Sequence, residues 1–260
     1  MNRVEARFAA LRARNEKALI PYIMGGDPDL GTTGRLLETL VAAGADLIEV
    51  GAPFSDPLAD GAVIQAAGLR ALRGGCTLTK LLAALQPVLK DLPVPAMLMI
   101  YYNLIYQKGV ESFMAAAQAA GIAGLIIPDL PPDDSGEVRR TAAEYGVALN
   151  FLVAPTSTAA RISTAAAAST GFVYAVSLKG VTGARQTLPP DLPRFVSRVK
   201  AATAKPVAVG FGIATPEQAR QVATLADGVI VGSAVVQAAF ADRNLHQVKQ
   251  LVGDLKAAMR

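Results

Sequence analysis

The chain reads as an α/β protein: a single (β/α)8 TIM barrel occupying residues 1–260, with an N-terminal capping helix and extra helices. Three observations predict it. Eight short apolar runs, several of them continuously apolar, alternate with helical patterns from end to end, as expected of parallel strands covered on both faces. No linker, low-complexity tract or composition break divides the 260 residues, a length that fits one barrel. Acids and glycines gather at the C-terminal ends of the predicted strands, the end at which such barrels keep their chemistry.

Before the first strand, Val4, Phe8 and Leu11 form an i, i+4, i+7 stripe, which predicts a helix plugging the bottom of the barrel. The eight predicted strands are 20–24, 47–50, 96–101, 124–127, 148–153, 172–176, 206–209 and 228–231. Leu36, Leu37, Leu40 and Val41 give the first outer helix one buried face. After the second strand there is room for two helices, 62–73 and 77–89, parted by Gly74-Gly75. Leu245, Val248, Leu251, Val252 and Leu255 stripe the last helix. An open doubly wound sheet is the structural alternative. It is disfavoured because Gly25-Gly26-Asp27-Pro28, not G-x-G-x-x-G, follows the first strand.

Composition excludes several function classes. Hydrophobic residues make up 52% and charged residues 18%, enough for a large core and incompatible with global disorder. The net charge of +4 is scattered, with no basic stripe interleaved with aromatics, so no nucleic-acid partner is expected. Cys76 and His246 are the only residues of their kinds. There is accordingly no internal disulfide, no zinc ligand set and no expected metal, and His246, in a polar C-terminal helix, reads as a surface residue. The charged N-terminus lacks the apolar core of a secretory signal, and the stretch 96–106 is too short for a bilayer, so the expected location is cytoplasmic with no membrane partner.

The most informative segment is Asp46-Leu-Ile-Glu49-Val-Gly-Ala-Pro53-Phe-Ser-Asp56-Pro-Leu58-Ala-Asp60-Gly. An apolar strand ends in Glu49, and the following loop carries Asp56 and Asp60. A carboxylate placed after Leu47 and Ile48 is costly to bury charged, so it is paired, protonated or working. The plain alternative is a solvated acid on the rim.

At the other side of the barrel, Val209-Gly210-Phe211-Gly212-Ile213 closes the seventh predicted strand and Val231-Gly232-Ser233-Ala234 the eighth. Glycines there let backbone N–H groups approach an anion, and Ser233 is a candidate N-cap of a short helix 234–239, whose start favours negative charge. The alternative is that they merely permit tight turns; the two clusters together favour a phosphate site. After the sixth predicted strand, Ser177-Leu-Lys179-Gly-Val-Thr182-Gly183 opens a connection to about residue 190, long enough for a lid over the mouth or for a disordered crossing loop. Lys179 is the only lysine near a strand's C-terminal end and it lies in that loop, which argues against a Schiff-base aldolase. Two acids and a phosphate cradle point to proton transfer on a sugar-phosphate-like substrate.

These motifs carry a resemblance. The segment Ile20-Pro-Tyr-Ile-Met-Gly-Gly-Asp-Pro28, the Glu49–Asp60 segment, the Gly180-Val-Thr-Gly183 turn and Gly232-Ser233-Ala234 together resemble the tryptophan synthase alpha subunit family over nearly the whole chain. The resemblance implies cleavage of indole-3-glycerol phosphate to indole and glyceraldehyde 3-phosphate, with Glu49 and Asp60 as the catalytic acids. Glu49, in an apolar setting, would shuttle a proton between the glycerol hydroxyl and ring carbon C3; Asp60, in a polar loop, would stay ionised and take the indole N–H. Tyr22, Leu98, Tyr101, Leu125, Val153 and Tyr174 would line the indole slot, although barrel packing explains Leu98 and Leu125 nearly as well. Gly183, Gly210, Phe211, Gly212, Ile213, Gly232 and Ser233 would hold the phosphate, with Lys179 and Thr182 in the lid. Many members carry Ser-Arg before the turn where this chain has Ser177-Leu178-Lys179, which puts the lid's closing contacts in question. The resemblance also implies an α2β2 complex with a pyridoxal-phosphate beta subunit, no cofactor being expected in this chain. Pro53, Asp56, Leu58, Asn103, Tyr106, Asp129 and Pro131 would form the interface. A free-standing lyase and a catalytically silent regulatory subunit that binds the phosphate ligand remain as alternatives; retention of both acids argues against the second.

Overall fold

The computed structural model describes residues 1–176, 188–210 and 212–260. Helix α1 (Arg3–Ala13) opens the chain, its first turn capped by Asn2, whose side chain accepts the Glu5 N–H at 2.9 Å. Then follow β1 (Ala18–Met24), α2 (Leu30–Ala42), β2 (Ile48–Gly51), α3 (Ala62–Arg73), α4 (Leu78–Asp91), β3 (Ala96–Met99), α5 (Tyr102–Lys108), α6 (Val110–Ala119) and β4 (Gly124–Ile126). After a 3-10 turn at Pro132–Asp134 come α7 (Gly136–Glu144), β5 (Ala148–Leu149), β6 (Leu152–Val153), α8 (Ala159–Ala168), β7 (Val173–Val176), α9 (Leu192–Ala201), β8 (Val207–Gly210), α10 (Pro216–Leu225), β9 (Gly228–Val231), α11 (Ser233–Ala241) and α12 (His246–Ala258).

All described strand pairs are parallel, in the order β5-β4-β3-β2-β1-β9-β8-β7-β6. The fifth predicted strand, 148–153, is split into β5 and β6, and the two residues between them close the barrel. Asn150 donates its N–H to Leu125 O at 3.0 Å on one side, and Phe151 O accepts from Tyr174 N at 3.0 Å on the other. The Asn150 side chain reinforces the seam, accepting the Phe172 N–H at 2.9 Å and donating to Leu125 O at 3.2 Å. Residues 150 and 151 therefore act as barrel strand although their ladder is irregular. The remaining strands match the sequence expectation to within one or two residues at their ends; the third stops at Met99, two residues early, and Tyr101 already caps α5.

Two apolar layers result. Inside the barrel, Ile20, Leu47, Met97, Ile126, Ala148, Phe172 and Ala208 stack on Val4, Phe8 and Leu11 of α1, with Phe8 and Phe172 rings 5.5 Å apart. Outside it, alternate strand residues such as Val50, Leu98, Leu125, Val173 and Val209 meet the helices through Leu36, Leu81, Phe113, Phe195 and Val222. The predicted plug helix is thus the floor of the barrel. It is tied down by the buried Asp46, which accepts Arg7 Nη2 at 2.7 Å, Lys256 Nζ at 2.6 Å and Leu19 N–H at 2.9 Å. One carboxylate so joins α1, β1 and α12 below the strands, leaving the C-terminal mouth as the open end.

Candidate active site

Glu49 lies in register with Tyr22 of β1 and Met97 of β3. Its parity with Leu47 turns it into the barrel, where it is fully buried. Oε2 receives a long hydrogen bond, 3.4 Å, from the Tyr174 hydroxyl, and Oε1 has no hydrogen-bond partner among the described residues. A buried carboxylate with one orphaned oxygen is unfavourable as an anion. Loss of hydration, with a smaller contribution from Asp60, pushes the carboxyl up to about 8, against the lowering influence of Tyr174.

Asp60 sits at the end of the loop after β2. Its N–H closes a turn onto Pro57 O at 3.0 Å, and Gln65 of α3 donates to its carbonyl at 2.9 Å. The polar-loop expectation for this residue needs correction: the side chain is half-buried, and burial raises its carboxyl to about 6, opposed by the nearby Tyr101 hydroxyl. It nonetheless remains mostly ionised at neutral pH. Two carboxyls in one mouth are therefore held at different acidities by different degrees of dehydration, which is the arrangement acid–base chemistry needs.

Tyrosines surround the pair. Tyr22, Tyr101 and Tyr174 are all buried, and burial together with the charges of Glu49 or Asp60 holds each phenol above its usual range. Two glycines make space for them. A Cβ at Gly51 would collide with the Tyr22 hydroxyl, and one at Gly210 would stand 3.0 Å from Cε1 and 3.1 Å from the hydroxyl of Tyr174. Gly210 thus has a packing reason of its own beside any role toward an anion, and Gly51 is a site residue that the sequence reading missed.

The apolar lining needs a further correction. Leu98, Leu125 and Val153 belong to the layer between sheet and helices, so they do not face the mouth. Their neighbours Met99, Ile126 and Leu152 take the inward positions, with the barrel interior cluster. The error is one residue in each strand, and in a strand one residue exchanges the two faces.

On the far side, α11 begins with Ser233 as its first helical residue and Gly232 as its N-cap, one position earlier than expected. Gly212 has φ +68°, a conformation that suits glycine, while Ile213 is buried. The free N–H groups at the start of α11 and the glycine turn after β8 leave room for an anion. Lys179, Thr182, Gly183 and Phe211 lie outside the described residues. Of the expected interface positions, Asp56, Leu58, Asn103, Tyr106, Asp129 and Pro131 are exposed, Leu58 at 95% and Tyr106 at 70%. Pro53 is buried within the chain and shapes the loop rather than offering a surface.

Comparison with known proteins places this geometry. The family profile for the tryptophan synthase alpha chain matches residues 8–260. Tryptophan synthase alpha chains of a Picosynechococcus and a Synechocystis species are 48% identical over 263 residues and 51% identical over 238 residues; the alignments cover 100% and 91% of this chain, and 100% and 90% of the relatives. A solved structure of Mycobacterium tuberculosis tryptophan synthase superposes with a TM-score of 0.92 at 42% identity, covering 100% of this chain and 98% of that one. The subunit alpha structure from Legionella pneumophila gives 0.90 at 37% identity, with 100% and 98% coverage. A barrel with two differently tuned acids at its mouth, matched along its whole length by these proteins, belongs to the tryptophan synthase alpha chain family, the lyase component of tryptophan synthase.

Proposed function

We propose that Glu49 and Asp60 carry out the family's reaction, the retro-aldol cleavage of indole-3-glycerol phosphate to indole and glyceraldehyde 3-phosphate. The observation that carries this reading is the buried Glu49 carboxyl, whose Oε1 has no partner among the described residues. Held protonated at neutral pH, it has a proton to deliver. Glu49 protonates indole C3, which leaves the ring nitrogen positively charged, and the ionised Asp60 accepts the N–H and holds that charge. The Glu49 carboxylate then removes the proton of the adjacent glycerol hydroxyl. The carbon–carbon bond breaks, its electron pair returns to the ring, the aldehyde forms and Glu49 is protonated again. Each acid–base role is worth on the order of 10²–10⁴ in rate.

Met99, Ile126 and Leu152, with Tyr22 and Tyr174, form the slot for the indole. Gly210, Gly212, Ile213, Gly232 and Ser233 hold the phosphate, as neutral donors at a helix start suffice for a dianion. The chain works without a cofactor of its own beside a pyridoxal-phosphate beta subunit, as an α2β2 complex. Leu58, in the Asp60 loop, and Tyr106, on α5, are large apolar side chains left in water, which supports a docking face. Docking on the loop that carries Asp60 raises activity by ordering it. The setting is the cytoplasm: Cys76 is the sole cysteine and, among the described residues, no helix is long and apolar enough to cross a membrane.

The deciding experiment measures indole release from indole-3-glycerol phosphate by the purified chain, alone and with a beta subunit. Release that rises with the beta subunit is the expected result. Equal release in both conditions identifies a free-standing lyase, and none in either refutes the roles given to the two acids.

A further inference from the structure

Tyr101 stands at the end of the third strand position, as the N-cap residue of α5, and is buried. Its ring stacks on Phe54 with centroids 5.1 Å apart and planes 25° from parallel. Its hydroxyl accepts the Ala59 N–H at 2.9 Å and stands close enough to Asp60 to lower that carboxyl against the effect of burial. A phenol has one proton to give, so accepting from Ala59 leaves that proton for the Asp60 carboxylate. Phe54 and Ala59–Asp60 are the two ends of the loop after β2, and one side chain from the neighbouring strand holds both. The adjacent residue is anchored in turn: the Tyr102 N–H donates to Asp129 Oδ1 at 2.8 Å. Residues 101 and 102 therefore join the loops that follow β2, β3 and β4.

We propose that Tyr101 is a positioning residue for the cleavage reaction, pinning the Phe54–Asp60 loop through its stack on Phe54 and its hydrogen bond from Ala59 so that the Asp60 carboxylate is held at the mouth. The inference rests on the reading of Asp60 as the group that holds the indole nitrogen. It assigns to Tyr101 a task distinct from lining the indole slot: the ring clamps the loop and the hydroxyl tunes the acid. The titratable groups facing Asp60 are Tyr22 from β1, Glu49 from β2, Tyr174 from β7 and Tyr101 itself. Among the described residues, Tyr101 is the group that draws the Asp60 carboxyl down toward its ordinary acidity, against the effect of burial.

The test compares the wild-type chain, Tyr101→Phe, Asp60→Asn and the double variant, each with the beta subunit. Tyr101→Phe keeps the stack and removes the hydroxyl. Expected are a fall in kcat of about tenfold, the worth of one hydrogen bond to a charged group, and a KM within about twofold, since the phosphate contacts are untouched. The acidic limb of the kcat–pH profile moves to higher pH, because the proton donor that favours the Asp60 anion is gone. In the Asp60→Asn background the same substitution adds no further loss. Amide hydrogen exchange at Ala59, slow in the wild-type chain, becomes fast. An unmoved acidic limb with kcat within about twofold, while Asp60→Asn is inactive, overturns the inference and leaves the reading of Asp60 intact. Full activity of Asp60→Asn removes that reading and the inference with it. Should Tyr101→Phe fail to fold, fast exchange of the Ala59 amide in the wild-type chain is sufficient to reject the clamp.

Discussion

The Tyr174 hydroxyl meets Oε2 of Glu49 at 3.4 Å, and among the described residues this long contact is the only hydrogen bond the fully buried carboxyl receives. So weak a partner cannot repay the dehydration of an anion, which is why the group keeps its proton to about pH 8. Glu49→Gln preserves the shape and removes the transferable proton. Indole release should fall by about 10²–10⁴, while glyceraldehyde 3-phosphate binding, measured by calorimetry, stays within about threefold. Normal turnover by this variant would remove Glu49 from the chemistry.

The same burial makes a stability prediction. A carboxyl whose folded-state value is raised from 4.5 to about 8 favours the folded chain less and less as pH rises between those values, because the unfolded chain sheds the proton first. At pH 7 the penalty is on the order of 3 kcal/mol as an upper bound. Glu49→Gln has no such penalty. Its advantage in denaturant midpoint over the parent chain should be smallest near pH 4.5 and widen toward pH 8; a constant difference would contradict the raised value.

Activity needs Asp60 ionised and Glu49 protonated. With the two carboxyls near 6 and 8, kcat/KM for the free enzyme should rise through about pH 6 and fall through about pH 8. The charge on Asp60 itself raises Glu49, so the two limbs belong to the pair, and Asp60→Asn should move the alkaline limb to lower pH in whatever activity remains. A profile flat from pH 5 to 9 would mean that neither carboxyl titrates in the rate-limiting step.

The barrel is legible in the sequence because eight apolar runs recur between helical stripes, and the acids because Glu49 interrupts such a run. The faces of the strands are not. A strand covered on both sides carries little alternation, so Leu98 and Met99, Leu125 and Ile126, Leu152 and Val153 are equivalent by hydrophobicity alone, and only the register separates the mouth from the helix layer. Counting by twos from Glu49 through its partner Met97 would have pointed to Met99. The Tyr101–Ala59 hydrogen bond joins residues 42 positions apart and leaves no local signature. The half-burial of Asp60 is similarly a property of the assembled mouth, invisible in a loop that reads as polar.

Asp46 offers a control remote from the chemistry. It is buried beneath the strands and shared by Arg7, Lys256 and the Leu19 N–H. Asp46→Ala would strand two cations and an amide, but Lys256 and Arg7 keep part of their surface in water, which moderates the loss. A destabilisation of about 2–3 kcal/mol is expected from urea unfolding, with kcat unchanged at temperatures where the chain stays folded. A change below about 0.5 kcal/mol would make the network incidental to folding.

Gly51 supplies the sharpest steric test of the mouth. It ends β2 two residues after Glu49, in register with Met24, and its missing Cβ is the space the Tyr22 hydroxyl occupies. Gly51→Ala therefore drives a methyl group against that oxygen. The collision shifts either the Tyr22 ring or the strand bearing Glu49, at a cost of about 1–3 kcal/mol in stability and a larger loss in kcat than in KM. The hydroxyl is the closest atom, with Cζ next at 2.7 Å, so removing the hydroxyl should relieve the worst of the collision: Tyr22→Phe combined with Gly51→Ala recovers part of the stability and turnover lost by Gly51→Ala alone. Recovery read as a coupling energy of at least about 1 kcal/mol in a double-mutant cycle ties the glycine to the tyrosine. Equal losses in the single and double variants would mean that Gly51 is required for its backbone and not for the room it leaves.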